Sequence, residues 1–201
     1  MTRTVAIVLF ENAEELDWAG PWEVFTMLKQ LEPGSCDVLS VSEHGGEVRC
    51  AKGLRVLADY DFSTCPPPDV VLVPGGNGTR KEMENPAMLA FVRQAAKTAE
   101  VMTSVCTGSF VLWGAGLLAG KRATTHWGSM EYLRKCEGVT VVEERWVDEG
   151  AVITAAGVSA GIDMSLHLVG KLWSPLIARR VQKAMEYFPE PPYGDVPVTW
   201  G

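Results

Sequence analysis

Two kinds of cysteine spacing are missing from this chain. Its five cysteines (Cys36, Cys50, Cys65, Cys106 and Cys136) are odd in number, and none stands in a C-x-x-C pair. Neither a full disulfide framework nor a thiolate metal site therefore has a basis in the sequence. Reduced thiols in a reducing compartment, hence a cytoplasmic location, are the simpler expectation. Basic residues are also in deficit. Lys and Arg total 18 against 25 Asp and Glu, a net charge of −7. That balance opposes phosphate backbones and leaves nucleic-acid binding without an electrostatic footprint. There is no internal repeat, no low-complexity linker and no GxxxxGK[ST] phosphate motif. Thr2-Arg3-Thr4 leads straight into VAIVLF with acidic residues following, so no signal peptide is expected. Residues 101–120 carry no charge and have the length of a membrane span. However, Thr103, Ser104, Cys106, Thr107, Ser109 and four glycines interrupt them. A buried strand running into a buried helix fits that pattern better, and a soluble chain without a membrane partner is expected.

What remains is a core-forming composition. With 47% hydrophobic and 21% charged residues over 201 positions, the chain suits one globular domain. Apolar runs at residues 5–10, 38–41, 70–73, 101–105, 139–142 and 151–154 read as strands. The unbroken runs VAIVLF and VVLVP suit strands covered on both faces, as in a parallel sheet. Helical patterns alternate with them at 22–31, from Asn85-Pro86 to about 97, just after Cys106, and at 126–135, 162–173 and 175–187. The alternation predicts an α/β fold, a single doubly wound, mostly parallel sheet flanked by helices. Segments 47–59, 139–145 and 145–154 are expected to add short antiparallel hairpins. Residues 1–188 are read as the domain, and the proline-rich residues 189–201 as an extended arm. Core filling is the expected role of Trp18, Trp22, Trp113 and Trp127.

The chemistry concentrates in VMTSVCTGSFVL. It reads as a buried strand, an abrupt turn at Cys106 and a helix, with Ser104 and Gly108 as small flanks. A nucleophile elbow needs such neighbours, because the strained turn packs its flanks tightly while lifting the nucleophile above the sheet. The helix terminus and the Thr107 amide favour thiolate over thiol. A second turn, Val73-Pro74-Gly75-Gly76-Asn77-Gly78, places glycine amides after a buried strand. There the Gly76 amide pairs with that of Thr107 as an anion-stabilising couple. In ENAEELDWAGPWEVF, Pro21 fits a first helical position with Gly20 as cap. That leaves Asp17 in the loop after the first strand, where α/β sheets bind ligands. Glu23 then reads as a first-turn charge, Glu14 and Glu15 as solvated, and His126 as a structural histidine.

Four linked motifs carry a family resemblance. SVCTGS at the elbow, PGGNG before it, GKRATTHW after the elbow helix and AAGVSAGIDM further on are similar to those of the ThiJ/PfpI superfamily. Within it, LDWAGPWEVF together with TSVCTGSFVLWGAGLLAGKRATTHW resembles the isocyanide hydratases. The resemblance spans residues 5–193. It implies a flavodoxin-like, class I glutamine amidotransferase-like domain, a homodimer, and a hydro-lyase. That enzyme would convert a small-molecule isocyanide and water to an N-substituted formamide with no metal or other cofactor. Carried over by position, Cys106 matches the nucleophile, Asp17 its acid/base partner and Thr107 the residue after the nucleophile. Val158 stands where the family places an isoleucine whose amide contacts the sulfur. Ala155-Ala156 replaces glycines, which stiffens the entry to the helix that follows. Superfamily peptidases carry a histidine directly after the cysteine, and this chain has Thr107.

The implied dyad poses an electrostatic problem. Two unit charges ~4 Å apart repel by about 4 kcal/mol at an effective dielectric of 20, and a helix terminus returns only about 0.3–2 kcal/mol. Asp17 and Cys106 should therefore share one proton, with protonated Asp17 beside a Cys106 thiolate as the expected form. The competing readings are a cofactor-free glyoxalase or deglycase with the same pair, a non-enzymatic sensory domain like those of AraC-type activators, and oxidation sensing through Cys106.

Overall fold

Four apolar runs without a polar face lie side by side in the structure, each followed by a turn that enters the same cleft. The computed structural model describes residues 2–194. In chain order its elements are β1 (Arg3–Val8), α1 (Glu15–Leu31), β2 (Cys36–Ser42), β3 (Gly46–Arg49), β4 (Arg55–Ala58), β5 (Tyr60–Asp61) and β6 (Val70–Val73). There follow α2 (Thr79–Glu82), α3 (Pro86–Ala95), β7 (Val101–Val105), α4 (Gly108–Gly114) and β8 (Lys121–Ala123). A 3-10 turn at Trp127–Ser129, α5 (Met130–Leu133), β9 (Val139–Val141), β10 (Trp146–Asp148), β11 (Val152–Ala155), α6 (Ala160–Leu172) and α7 (Pro175–Ala184) complete the series.

The main sheet has the order β10-β11-β7-β6-β1-β2-β5. Every neighbouring pair in it is parallel except β10 with β11. The period of two along each strand feeds two separate cores. Ala6, Val8, Val71 and Val73 face a cluster completed by Met88, Val92, Phe110 and Leu112. Val5, Ile7, Val70 and Leu72 face Phe25, Leu28, Met164, Leu168 and Val181. Helices thus cover both faces, which is why VAIVLF and VVLV show no polar alternation. Each fully buried Leu, Ile or Phe contributes about 1.5–3 kcal/mol.

Prolines open two helices as expected. Asn85 caps α3 by accepting the Ala87 amide at 3.0 Å, and Ser174 caps α7 by accepting that of Ile177 at 3.1 Å, with Pro86 and Pro175 next in each. Pro21 does not. It lies inside α1, which begins at Glu15, so Gly20 is not a cap, Glu23 is not in the first turn, and Asp17 sits in the helix's first turn rather than a loop. The missing proline amide leaves the Asp17 carbonyl without its helical partner. The Gly20-Pro21 surface is used for close packing on α6. A Cβ on Gly20 would lie 2.8 Å from Ile162, and Pro21 presses on Gly161.

Three more expectations change. Residues 139–145 form no hairpin with the next strand. β9 leaves the main sheet and pairs in parallel with β8, while β10 and β11 alone form the antiparallel pair. β9 is only three residues long and half-exposed, unsuited to a place covered on both faces. Trp127 is 58% exposed, so it is not core filling. Of the arm at 189–201, residues 189–194 are exposed, and the remainder lies outside the described residues. The uncharged stretch 101–120 divides into β7 and α4, and among the described residues no helix is long and apolar enough to cross a membrane.

Candidate active site

The sheet's direction of winding reverses between β1 and β6, where the order runs one way to β2 and the other way to β7 and β11. Ligands of open α/β sheets bind beyond the carboxyl ends of strands at such a switch. Four segments meet there: the start of α1 after β1, the glycine turn after β6, Cys106 after β7, and Gly157-Val158 after β11. Cys106 has φ +56, the strained conformation of an elbow, and is held from below. Its amide donates to the Ala155 and Ala156 carbonyls at 3.1 and 3.0 Å, and its carbonyl accepts the Thr125 hydroxyl at 2.9 Å. Gly108 makes the elbow sterically feasible, because a Cβ there would fall 2.2 Å from the Val73 carbonyl oxygen.

Asp17 is fully buried beside this elbow. Its Oδ2 accepts the Gly75 amide at 2.8 Å, and its Oδ1 is buried without a nitrogen or oxygen donor. The Cys106 side chain is the carboxylate's neighbour across the Gly75 turn and helps to lower its pKa against burial. Gly75 is the hub. A Cβ on it would lie 2.5 Å from the Thr107 nitrogen, 2.7 Å from Asp17 Oδ2 and 2.7 Å from the Cys106 Cβ. Only a residue without a side chain lets the thiol and carboxylate meet across this turn.

Residues 3–171 match the model of the DJ-1/PfpI family. The chain belongs to the DJ-1/PfpI family. It is similar to an isonitrile hydratase of Pseudomonas putida, 39% identical over 96% of this chain and 82% of that protein. The solved structure of a ThiJ/PfpI family protein from Pseudomonas syringae superposes with a TM-score of 0.89. It is 32% identical and covers 96% of this chain and 78% of that one. A glutathione-independent glyoxalase of Caenorhabditis elegans is 27% identical over 82% of this chain and 86% of that protein.

Burial dominates the electrostatics of this DJ-1/PfpI site. Burial pushes the Cys106 thiol up to about 12, and the Asp17 charge adds to the rise; the amides of Thr107 and Val158 pull the other way and are outweighed. α4, seven residues long, adds little dipole to that opposition. Burial likewise raises the Asp17 carboxyl from 3.8 to about 7, against the hydrogen bond from Gly75. Two buried acids resist becoming doubly charged, so the pair loses one proton as pH rises through about 7 and keeps the second well above it. The two groups titrate as a unit, so the remaining proton is shared between sulfur and carboxyl.

The anion-stabilising amides are those of Thr107 and Val158, both of which favour the charged sulfur. Gly76 reaches the cleft, but its amide donates to Thr107 Oγ1 at 3.0 Å and is not free for a substrate. The expected Thr107–Gly76 couple is therefore replaced by Thr107–Val158. Thr79 Oγ1 donates to the same Thr107 oxygen at 3.1 Å, so Thr107 is fixed from two sides. Val158 has φ +45, an outlying conformation for a β-branched residue. Such strain costs about 1–3 kcal/mol and persists only where surrounding structure enforces it.

Cys106 opens on a cleft of about 190 Å³ lined in part by Glu14, Gly76, Asn77, Arg80, Thr107, His126, Ser129 and Val158. Glu14 is not simply solvated. It pairs with Lys52, and Glu15 accepts the Lys52 amide at 2.6 Å. His126 accepts the Gly128 amide on Nδ1 at 3.2 Å, and burial lowers its pKa, so a neutral ring faces the cleft. Sequence reasoning passed over Gly75 and Arg80 as site residues, and it preferred a structural role for His126 over a place near the site or the dimer contact. The glycine pair in PGGNG was the one available signal, and it pointed to the neighbour of the critical residue. Among the described residues no group of three or more His, Cys, Asp or Glu side chains is arranged to hold a metal ion.

Proposed function

We propose that this chain hydrates an isonitrile (isocyanide) to the N-substituted formamide, with Cys106 as nucleophile and Asp17 as its proton partner. The observation that carries this reading is the fully buried Asp17 carboxylate, one oxygen held by the Gly75 amide, packed beside the Cys106 elbow across the Gly75 turn. The terminal carbon of an isonitrile is electrophilic toward sulfur and needs a proton as its triple bond is lost. As sulfur attacks, the thiol proton passes to Asp17 and from there to that carbon, giving a thioimidate on Cys106. Asp17, again a carboxylate, takes a proton from water as the hydroxyl adds to the carbon and passes that proton to the nitrogen. Collapse of the adduct expels the sulfur, which recovers its proton through Asp17, and frees the formamide. Charge on the attacked group develops within reach of the Thr107 and Val158 amides.

The similarity to an isonitrile hydratase supports the substrate, and the Asp17–Cys106 geometry supports the covalent route. Loss of the isonitrile infrared stretch on adding protein tests the activity, with methylglyoxal as the contrasting substrate. Mass spectrometry of the wild type quenched during turnover is expected to show the Cys106 adduct, and the Asp17→Asn variant should lose it. Wild-type turnover by Cys106→Ala would remove the covalent step. A homodimer is part of the proposal, with exposed Trp127 (58%) and Tyr132 (49%) as its apolar contacts; a monomeric mass by light scattering would exclude it.

A further inference from the structure

The Cys106 cleft is small and rich in hydrogen-bond donors, which narrows the substituent a substrate can carry. Its volume of about 190 Å³ lies below the roughly 300–1,000 Å³ of sites for drug-sized ligands. It amounts to about six waters' share of liquid space.

Charge around the cleft is uneven. Glu14 is the carboxylate lining it, and its charge is matched by Lys52. Asp17 is buried and does not line it. Arg80 has no carboxylate partner among the described residues. Its Nη1 donates to the Gly76 carbonyl at 3.4 Å and to Thr79 Oγ1 at 3.2 Å, while the plane lies 5.7 Å from the Phe110 ring centroid. Those contacts anchor one edge of the guanidinium and leave Nε and Nη2 without a protein acceptor. Beside it, the Asn77 amide and the Ser129 hydroxyl also lack a side-chain partner, and the His126 ring is neutral. An exposed guanidinium held through one nitrogen, with two spare donors and neutral polar groups beside it, matches the planar acceptor pair of a carboxylate. The chain as a whole is acidic at −7, so this local cation runs against the general field.

We infer that Arg80 selects a compact isonitrile bearing a carboxylate, such as an α- or β-isocyano acid, and binds that carboxylate while the isonitrile carbon meets Cys106. This rests on the hydratase reading above. The product class is then an N-formyl amino acid. The carboxylate contact is made equally in ground and transition states, so its effect falls on KM rather than kcat.

The test compares isocyanoacetate, its methyl ester and cyclohexyl isocyanide. Formation of N-formylglycine, its ester or the cyclohexyl formamide is followed by proton NMR. In the wild type, kcat/KM for the acid is expected to exceed that for the ester by about 10-fold or more, the size of one charge-assisted hydrogen-bonded contact. Arg80→Gln should bring the acid-to-ester ratio toward one through a rise in KM for the acid, and Arg80→Lys should restore part of it. N-formylglycine should inhibit the wild type more strongly than its methyl ester, a comparison that needs no variant. Equal kcat/KM for acid and ester in the wild type, or an unchanged ratio in Arg80→Gln, overturns the selection by Arg80. Turnover of the two neutral isonitriles but not the acid sinks this inference alone. Turnover of none of the three sinks the hydratase reading with it.

Discussion

Replacing Asp17 with asparagine isolates the energetic consequence of burying that carboxyl. Its pKa rises from 3.8 to about 7 in the folded chain, chiefly through burial. A raised folded pKa means the native state holds the proton more tightly than the unfolded chain. The resulting stabilisation is full below pH about 4 and is lost as pH rises through about 7. Three pKa units correspond to about 4 kcal/mol in all, of which about 2–3 kcal/mol disappears between pH 5 and pH 8. His126 titrates in the opposite sense, because its lowered pKa favours the fold at higher pH. That contribution is common to both proteins and cancels in their difference. Urea unfolding of wild type and Asp17→Asn, followed by tryptophan fluorescence at pH 5, 6.5 and 8, therefore reads the Asp17 effect directly. The variant should gain about 2–3 kcal/mol relative to wild type on going from pH 5 to pH 8. A difference that stays constant within about 0.5 kcal/mol across this range would refute the account of a carboxyl strained by burial.

Other variants probe the same corner. Alkylation of Cys106 by iodoacetamide should accelerate as pH rises through about 7, when the pair loses its first proton, and in Asp17→Asn the rise should move above pH 9; a wild-type midpoint near 8.5 would mean an independent thiol. Gly75→Ala drives a methyl group into Thr107, Asp17 and Cys106, so turnover should fall at least 100-fold, with about 1–3 kcal/mol lost in urea unfolding; near-normal kinetics would show that the turn can yield. Val158→Gly releases about 1–3 kcal/mol of strain against about 0.5–1 kcal/mol of added chain freedom, so its urea midpoint should equal or exceed wild type while kcat declines; a loss above 1 kcal/mol would argue against strain at φ +45.

The fold was largely legible because burial on both faces leaves an unmistakable trace. Val70–Val73 has four valine or leucine residues without a polar break, and all four are buried. The elbow was legible for a related reason: a nucleophile on a strained turn needs small flanks, and Ser104 and Gly108 supply them. Pro21 misled because an internal proline and a first-turn proline look alike in one dimension. What distinguishes them is the packing of Gly20-Pro21 on Ile162 and Gly161, about 140 residues away in the chain. β9 misled for the same reason, since its partner β8 is revealed only by topology. In the site, residue types pointed to Cys106 and Asp17, but the balance between desolvation and amide dipoles depends on depth of burial. Sequence reasoning therefore reached the shared proton but not the strength with which burial raises both groups. Arg80 carried no signal at all, because an unpaired cation is defined by neighbours that fail to be there.

Because the strand tips converge from residues near 17, 75, 106 and 158, no contiguous stretch of the chain holds a working centre. A nascent polypeptide released only as far as β9 would already contain the sulfur, the acid and the glycine hub, yet lack the Val158 amide and the covering α6. Competence for chemistry thus arrives last, after most of the sheet has formed. A chain still being made keeps its thiol ordinary until there is a finished cleft to aim it.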